Sequence, residues 1–198
     1  MTTSTAKAKR IMPPEGLYHR HPISVDIYHR MGEAGIIEPE LRVELIKGEL
    51  IDMAPIGSRH AGKVKRLLDV LTAQLHGRAI VAAQDPIVLG EYSEPQPDIA
   101  VLRFREDYYE QAHPSPTDIS LVIEVADTTV RYDREVKIPL YAEHGIPEAW
   151  LLDLEQKRLE IYHDPKEGEY QHVDFYRSGQ VALQTFPSVA VDLREVLS

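Results

Sequence analysis

"LVIEVADTTVRYDREVK", Leu121 to Lys137, decides how this chain folds. Its opening is apolar on both faces, as a central strand covered by helices would be, except that Glu124 stands between Ile123 and Val125. Desolvating an unpaired carboxylate there costs on the order of several kcal/mol. The strand therefore needs a neutralising partner for Glu124. The segment after Asp133, "REVKIPLYAEHGIP", reads as a helix with Pro139 in its first turn and Gly145 as its C-terminal stop. Lys137 then falls near the helix start, where a strand, a loop and one helical turn can bring it back to Glu124.

Upstream, "ISVDIYHRMGEAGII" (Ile23 to Ile37) spaces Val25, Tyr28, Met31 and Ala34 as a short helix, with Ser24 as cap and Gly35 as stop. "LRVELIKGELIDMAP" alternates: Leu41, Val43 and Leu45 face one way, Arg42 and Glu44 the other, and Lys47-Gly48 turns the chain into a second strand. A β-hairpin follows from that pattern. From Ser58 to about Leu75, the stripe Val64, Leu67, Leu68, Leu71 and Leu75 predicts the strongest helix of the chain. "AIVAAQDPIVLG" is β-rich and broken at Pro86, which suits a bulge or sheet edge, and "QPDIAVLR" is a further strand.

Downstream, "AWLLDL", "RLEIYHD", "YQHVDFY" and "QVALQTF" read as a run of antiparallel strands with short polar turns, and "VDLREVLS" closes with a helical turn or two. Strands interleaved with helices give an α/β or α+β mixed sheet, with additional antiparallel strands toward the C-terminus. The expected organisation is a loose tail over 1–20 and one domain over 21–198.

Composition narrows the chemistry. The chain holds no cysteine, which removes disulfides, thiolate zinc sites and thiol nucleophiles and suggests a reducing cytoplasm. No apolar run is long enough for a bilayer, and the polar, basic "MTTSTAKAKRIMPPEG" does not read as a secretory signal. With 32 Asp and Glu against 22 Lys and Arg, the net charge of -10 repels polyanions, so any contact with nucleic acid needs a local basic surface or bound cations. P-loop, GxGxxG, GxSxG and HExxH motifs are all missing.

Three acids sit in or beside apolar strands: Glu44, Asp98 after Pro97, and Glu124. Neighbouring strands lie about 4.8 Å apart, so like-facing carboxylates converge and repel unless one is protonated or a cation lies between them. A hard divalent ion such as Mg²⁺, with Mn²⁺ as substitute, fits that need. A lysine at the same place, with Lys137 the candidate, could orient a water and offset charge on phosphate.

Each residue also has a plain reading. A strand glutamate ordinarily lies at an edge or pairs with Arg or Lys; Asp98 after proline suits a turn; Glu44 alternates onto the polar face of its hairpin, which predicts exposure; Lys137 alone is a solvated helix residue. "HRH" (His19, Arg20, His21) lacks metal-ligand spacing. His60 suits an exposed first turn as well as an active cavity, and Tyr141 and Trp150 read as core aromatics.

The blocks "RVELIKGELIDMAP", "QPDIAVLR" and "LVIEVADTTVRYDREVKIPLYAEHGIPEAWLLD" together resemble the bacterial Uma-two family of restriction-endonuclease-like proteins, themselves similar to PD-(D/E)xK nucleases. The likeness runs from about Ile23 to about Tyr170. It implies a restriction-endonuclease-like mixed sheet flanked by helices, and a Mg²⁺-dependent enzyme cutting DNA, often as a homodimer. Pro97-Asp98 and Glu124 match the superfamily's metal-holding acids. Its lysine, two residues beyond the Glu, is replaced here by Ala126. The family pattern DRxxK fits Asp133, Arg134 and Lys137, implying that the lysine has moved to the following helix, and Glu44 matches an additional acid.

Two other classes stand beside this one. A nuclease-like fold acting as an interaction module without turnover suits the acidic charge but has no need of clustered acids. A two-carboxylate glycosidase would want an aromatic sugar platform, which the sequence does not offer.

Overall fold

The computed structural model of the chain describes residues 20–38 and 40–197. The expected tail falls outside these residues apart from Arg20, and so does His19; Arg20 pairs with Glu49 and His21 is exposed.

The sequence order is α1 (Val25–Glu33), a hairpin of β1 (Val43–Ile46) and β2 (Glu49–Asp52), α2 (Ser58–Leu75), β3 (Ala79–Ala82), β4 (Ile99–Arg103) and β5 (Ile119–Ala126). Helical segments α3 (Val130–Tyr132) and α4 (Ile138–Glu143) then lead to β6 (Glu148–Asp153), β7 (Arg158–Lys166), β8 (Glu169–Tyr176), β9 (Gln180–Ala182), β10 (Ala190–Asp192) and α5 (Leu193–Leu197). Strands β3 to β8 form one six-stranded sheet in chain order. Every pairing is antiparallel except β5 with β6, the two strands joined through the α3–α4 crossover.

Local chemistry places these elements. The Ser24 hydroxyl accepts from the Ile27 N–H and caps α1. Lys47 (φ 49°) and Gly48 (φ 79°) both take the left-handed backbone that a tight two-residue hairpin turn requires. A Cβ at Gly48 would lie 2.4 Å from the Pro22 Cβ, so this position also needs glycine for space.

The central sheet is covered on both faces. Leu67, Leu71 and Leu75 of α2 pack with Ile123, Val125 and Trp150, under α5 and the small β9–β10 ladder. On the other face, Ile138, Leu140 and Tyr141 pack with Val122, Ala126 and Leu151. Helices on both faces explain why β5 is buried nearly throughout. The antiparallel run expected at the C-terminus holds for β6, β7 and β8. "QVALQTF" departs from it: only Gln180–Ala182 is a strand, and it pairs with β10 rather than extending the sheet.

The helix after β5 also departs from expectation. Helical backbone already begins at Val130, and Asp133–Lys137 forms a π-helical turn in which the Ile138 N–H donates to the Asp133 carbonyl. Pro139 accounts for this: it has no N–H, and its ring clashes with the carbonyl four residues back, so the chain widens before resuming as α4. Gly145 (φ 71°) ends the helix as anticipated, with the Ile146 N–H closing onto the Tyr141 carbonyl.

Candidate active site

The site follows from the β4–β5 ladder. Ile99 pairs with Ile123, and the antiparallel register continued by one residue sets Asp98 opposite Glu124 on the same face. The Asp98 carboxylate accepts the Val125 N–H at 2.8 Å, which ties it to the far strand. The β1–β2 hairpin brings Glu44, and the π-helical turn turns Lys137 inward. All four residues singled out from sequence line one cavity of about 690 Å³.

Lys137 is the hinge of this arrangement. Its Nζ lies 3.0 Å from Glu124 Oε1 and 3.3 Å from Glu44 Oε2, and it donates to the Gln96 carbonyl at 3.4 Å. An ammonium has three donors, and here each has an acceptor. The Tyr141 hydroxyl donates a short bond to the same Glu124 Oε1. Burial pulls the lysine down, but Glu124, Glu44 and Asp133 outweigh it and hold the proton above the ordinary lysine range. Lys137 is cationic at any physiological pH.

Acids outnumber this cation. Glu44, Asp98, Glu124 and Asp133 are all buried around one lysine. Glu124 shows the strain most clearly: burial pushes its carboxyl up to about 8, with Asp133 and Asp98 adding to the rise against the pull of Lys137 and Tyr141. Burial likewise raises Asp133, although the Thr129 hydroxyl donates to it at 2.6 Å. Burial and the neighbouring acids thus both favour a proton on a carboxyl of this cluster.

Two plain readings are thereby corrected, and that of Tyr141 is extended. Glu44 is not on a solvated face: it is 3% exposed, because the Gln96 segment and the lysine cover the outer side of the hairpin, and the Gln96 N–H donates to its Oε2 at 3.2 Å. Lys137 is buried rather than solvated, since the π turn rotates it toward the sheet. Tyr141 is a core aromatic whose hydroxyl also serves the site.

His60, which the sequence left between two roles, faces the cavity. Its Nε2 lies 2.9 Å from Asp98 Oδ2, and that hydrogen bond raises its pKa above the usual histidine value against the opposing effect of burial. Its Nδ1 is buried without a hydrogen-bond partner. Gln84 contributes a longer bond to Asp98 at 3.3 Å. Asp133 was legible only as part of a motif; its spacing before Lys137 was the available signal.

The donor set suits a hard cation. Asp98 and Glu124 offer carboxylate oxygens, both contacts to Glu124 fall on Oε1, and four buried acids outnumber Lys137 and His60 together. The residues present therefore fit a divalent ion such as Mg²⁺.

The mixed sheet with helices on both faces defines a nuclease-like fold. A crystal structure titled "putative nuclease belonging to DUF820" from Anabaena variabilis ATCC 29413 superposes with a TM-score of 0.71 at 19% identity, covering 89% of this chain and 98% of that one. Residues 25–194 match the model of the Uma-two family (Uma2), described as "Putative restriction endonuclease", and the chain belongs to that family. No curated protein matches it.

Proposed function

We propose that this protein is a metal-dependent endonuclease that hydrolyses phosphodiester bonds of DNA, with Mg²⁺ as the working ion and Mn²⁺ as an effective substitute. The observation that carries the proposal is the surplus of buried acids around Lys137 lining a cavity, within a family described as "Putative restriction endonuclease". Asp98 and Glu124 would hold the ion. When bound, such an ion polarises a phosphoryl oxygen and lowers the pKa of a coordinated water.

The protein's own residues do the rest. The Val125 N–H and His60 fix Asp98, and Tyr141 fixes Glu124, so both carboxylates are oriented before any ion arrives. Lys137 supplies a fixed positive charge to position the attacking water and offset charge at the phosphoryl group. It can do so only by exchanging an existing acceptor, and the long bond to the Gln96 carbonyl is the weakest of the three. Glu44 holds the lysine from its other side.

Substrate approach needs cationic surface, and α2 provides it beside the cavity. Lys63 is lowered by partial burial and then by Arg66, Arg59 and Lys157, which places four cations around one part of the helix. Such a cluster tracks a phosphate backbone despite the net charge of -10. One catalytic centre cuts one strand at a time, and two copies of the chain acting together on DNA would cut both.

The second reading is a nuclease-like interaction module without turnover, and the full occupancy of the Lys137 donors favours it. Incubation with supercoiled plasmid, single-stranded DNA and RNA separates the two. Cleavage in Mg²⁺ or Mn²⁺ that stops with EDTA, Glu124→Ala and Lys137→Ala supports the nuclease. Cleavage that survives both substitutions sinks the site assignment, and binding of DNA without cleavage of any substrate selects the module.

A further inference from the structure

A second group of metal-binding side chains lies outside the cavity. His29, Glu94 and His113 each present a ligand atom, and these atoms all lie within 4.8 Å of one another. None of the three lines the cavity that holds Asp98 and Glu124. We infer that they form a site for a zinc-class divalent cation that fastens α1 to the segment leading into β4.

The donor chemistry selects the ion. Two imidazoles and one carboxylate suit borderline cations such as Zn²⁺, with water in a fourth position, whereas the all-oxygen set of the cavity suits Mg²⁺. Glu94 is buried at 4% exposure, yet no lysine or arginine forms an ion pair with it among the described residues. Its carboxylate contact is His29, with Nε2 2.6 Å from Oε2. The rings of His29 and His113 stand edge to face with centroids 6.1 Å apart, and a ring nitrogen of each lies within 4.8 Å of a Glu94 carboxylate oxygen.

The scaffolding under each ligand is fixed. His29 lies on α1, which the Val25 N–H ties to the Glu91 carbonyl and the Tyr28 hydroxyl ties to the Val43 carbonyl. Glu94 exchanges two backbone hydrogen bonds with Leu45 of β1. His113 precedes Pro114, whose carbonyl accepts from Val88. Tetrahedral coordination at ordinary zinc bond lengths sets ligand atoms about 3.4 Å apart. The exposed His29 and His113 side chains can reach that spacing by rotation, His29 opening from its 2.6 Å contact with Glu94 and His113 closing in, without moving backbone.

Three segments far apart in sequence would then share one ion, four residues before Asp98. Its consequence is stability of the α1–hairpin unit rather than phosphoryl chemistry. The test uses the full chain, stripped of metal and titrated with Zn²⁺ and Co²⁺, alongside His29→Ala, His113→Ala and Glu124→Gln. We expect one tightly held equivalent, a Co²⁺ d–d spectrum of four-coordinate type, and a higher melting temperature with Zn²⁺. Each histidine substitution should weaken binding at least about 100-fold. His113→Ala should leave the metal-free melting temperature unchanged, whereas His29→Ala also removes the hydrogen-bond partner of buried Glu94 and should lower it. Glu124→Gln should leave Zn²⁺ binding intact. Failure to hold Zn²⁺, or Zn²⁺ binding that is indifferent to His113→Ala and lost with Glu124→Gln, overturns the inference without bearing on the nuclease.

Discussion

Two buried ionic clusters lie on the same side of the central sheet, and their difference separates structure from chemistry. In one, Asp153 and Glu160 are each 1% exposed and face Arg134 and Arg158, with Arg134 2.6 Å from Glu160. Two acids meet two cations there. In the other, Glu44, Asp98, Glu124 and Asp133 surround Lys137 beside an open cavity. Burial raises both Glu160 and Glu124, but Arg134, Tyr162 and Arg158 more than reverse it for Glu160, whereas Glu124 ends at about 8. The balanced cluster holds a helix to a sheet; the unbalanced one keeps a surplus of acid beside a cavity. The motif DRxxK divides between them, Arg134 serving the first and Lys137 the second.

The largest expected effect breaks the chemical half alone. Asp98→Asn, Glu124→Gln or Lys137→Ala should each lower the rate of plasmid nicking in Mg²⁺ by at least about 100-fold. The same assay on Glu160→Gln, with folded protein confirmed by circular dichroism, should show near-normal cleavage.

Stability should move the opposite way. Glu160→Gln removes an acceptor shared by two guanidiniums and should cost about 2 to 4 kcal/mol in urea unfolding. Its folded carboxyl lies below the usual value, so its contribution is present above about pH 4.5 and lost as pH falls through the folded value. Glu124→Gln should instead leave the metal-free protein as stable or stabilise it at pH 8, by about 1 to 3 kcal/mol.

The sign for Glu124 follows from its raised value. Its contribution is fully present below about pH 4.5 and is lost as pH rises toward about 8, so the metal-free protein should weaken across that window. A divalent ion must displace the proton. Calorimetry in buffers of different ionisation enthalpy should show about one proton released per ion at pH 7 and none well above pH 8. The smallest effect concerns the approach surface: Lys63→Glu with Arg66→Glu should weaken DNA binding in EDTA across all sequences and flatten its salt dependence.

Periodicity carried most of the fold. The α2 stripe, the Lys47-Gly48 turn and the doubly apolar β5 each follow from local spacing, and the structure has them where the sequence set them. Glu44 misled because alternation tells which face a side chain takes, not what later covers that face. Gln96 and Lys137 arrive from remote segments to bury it. The π turn was hidden for another reason: Pro139 announces an interrupted helix without saying whether the backbone stops or widens. His60 is a long-range partner of Asp98, whereas Asp133 stands four residues before Lys137 and was legible only through the DRxxK spacing; Glu94 meets His29 and His113 only in three dimensions.

The most direct test of the unbalanced cluster is a Mn²⁺ titration followed by electron paramagnetic resonance, in a His113→Ala background that disables the histidine site. One ion should bind, and it should be lost in Asp98→Asn and Glu124→Gln but retained in Glu160→Gln. Mn²⁺ binding that is unchanged by Glu124→Gln would contradict the account.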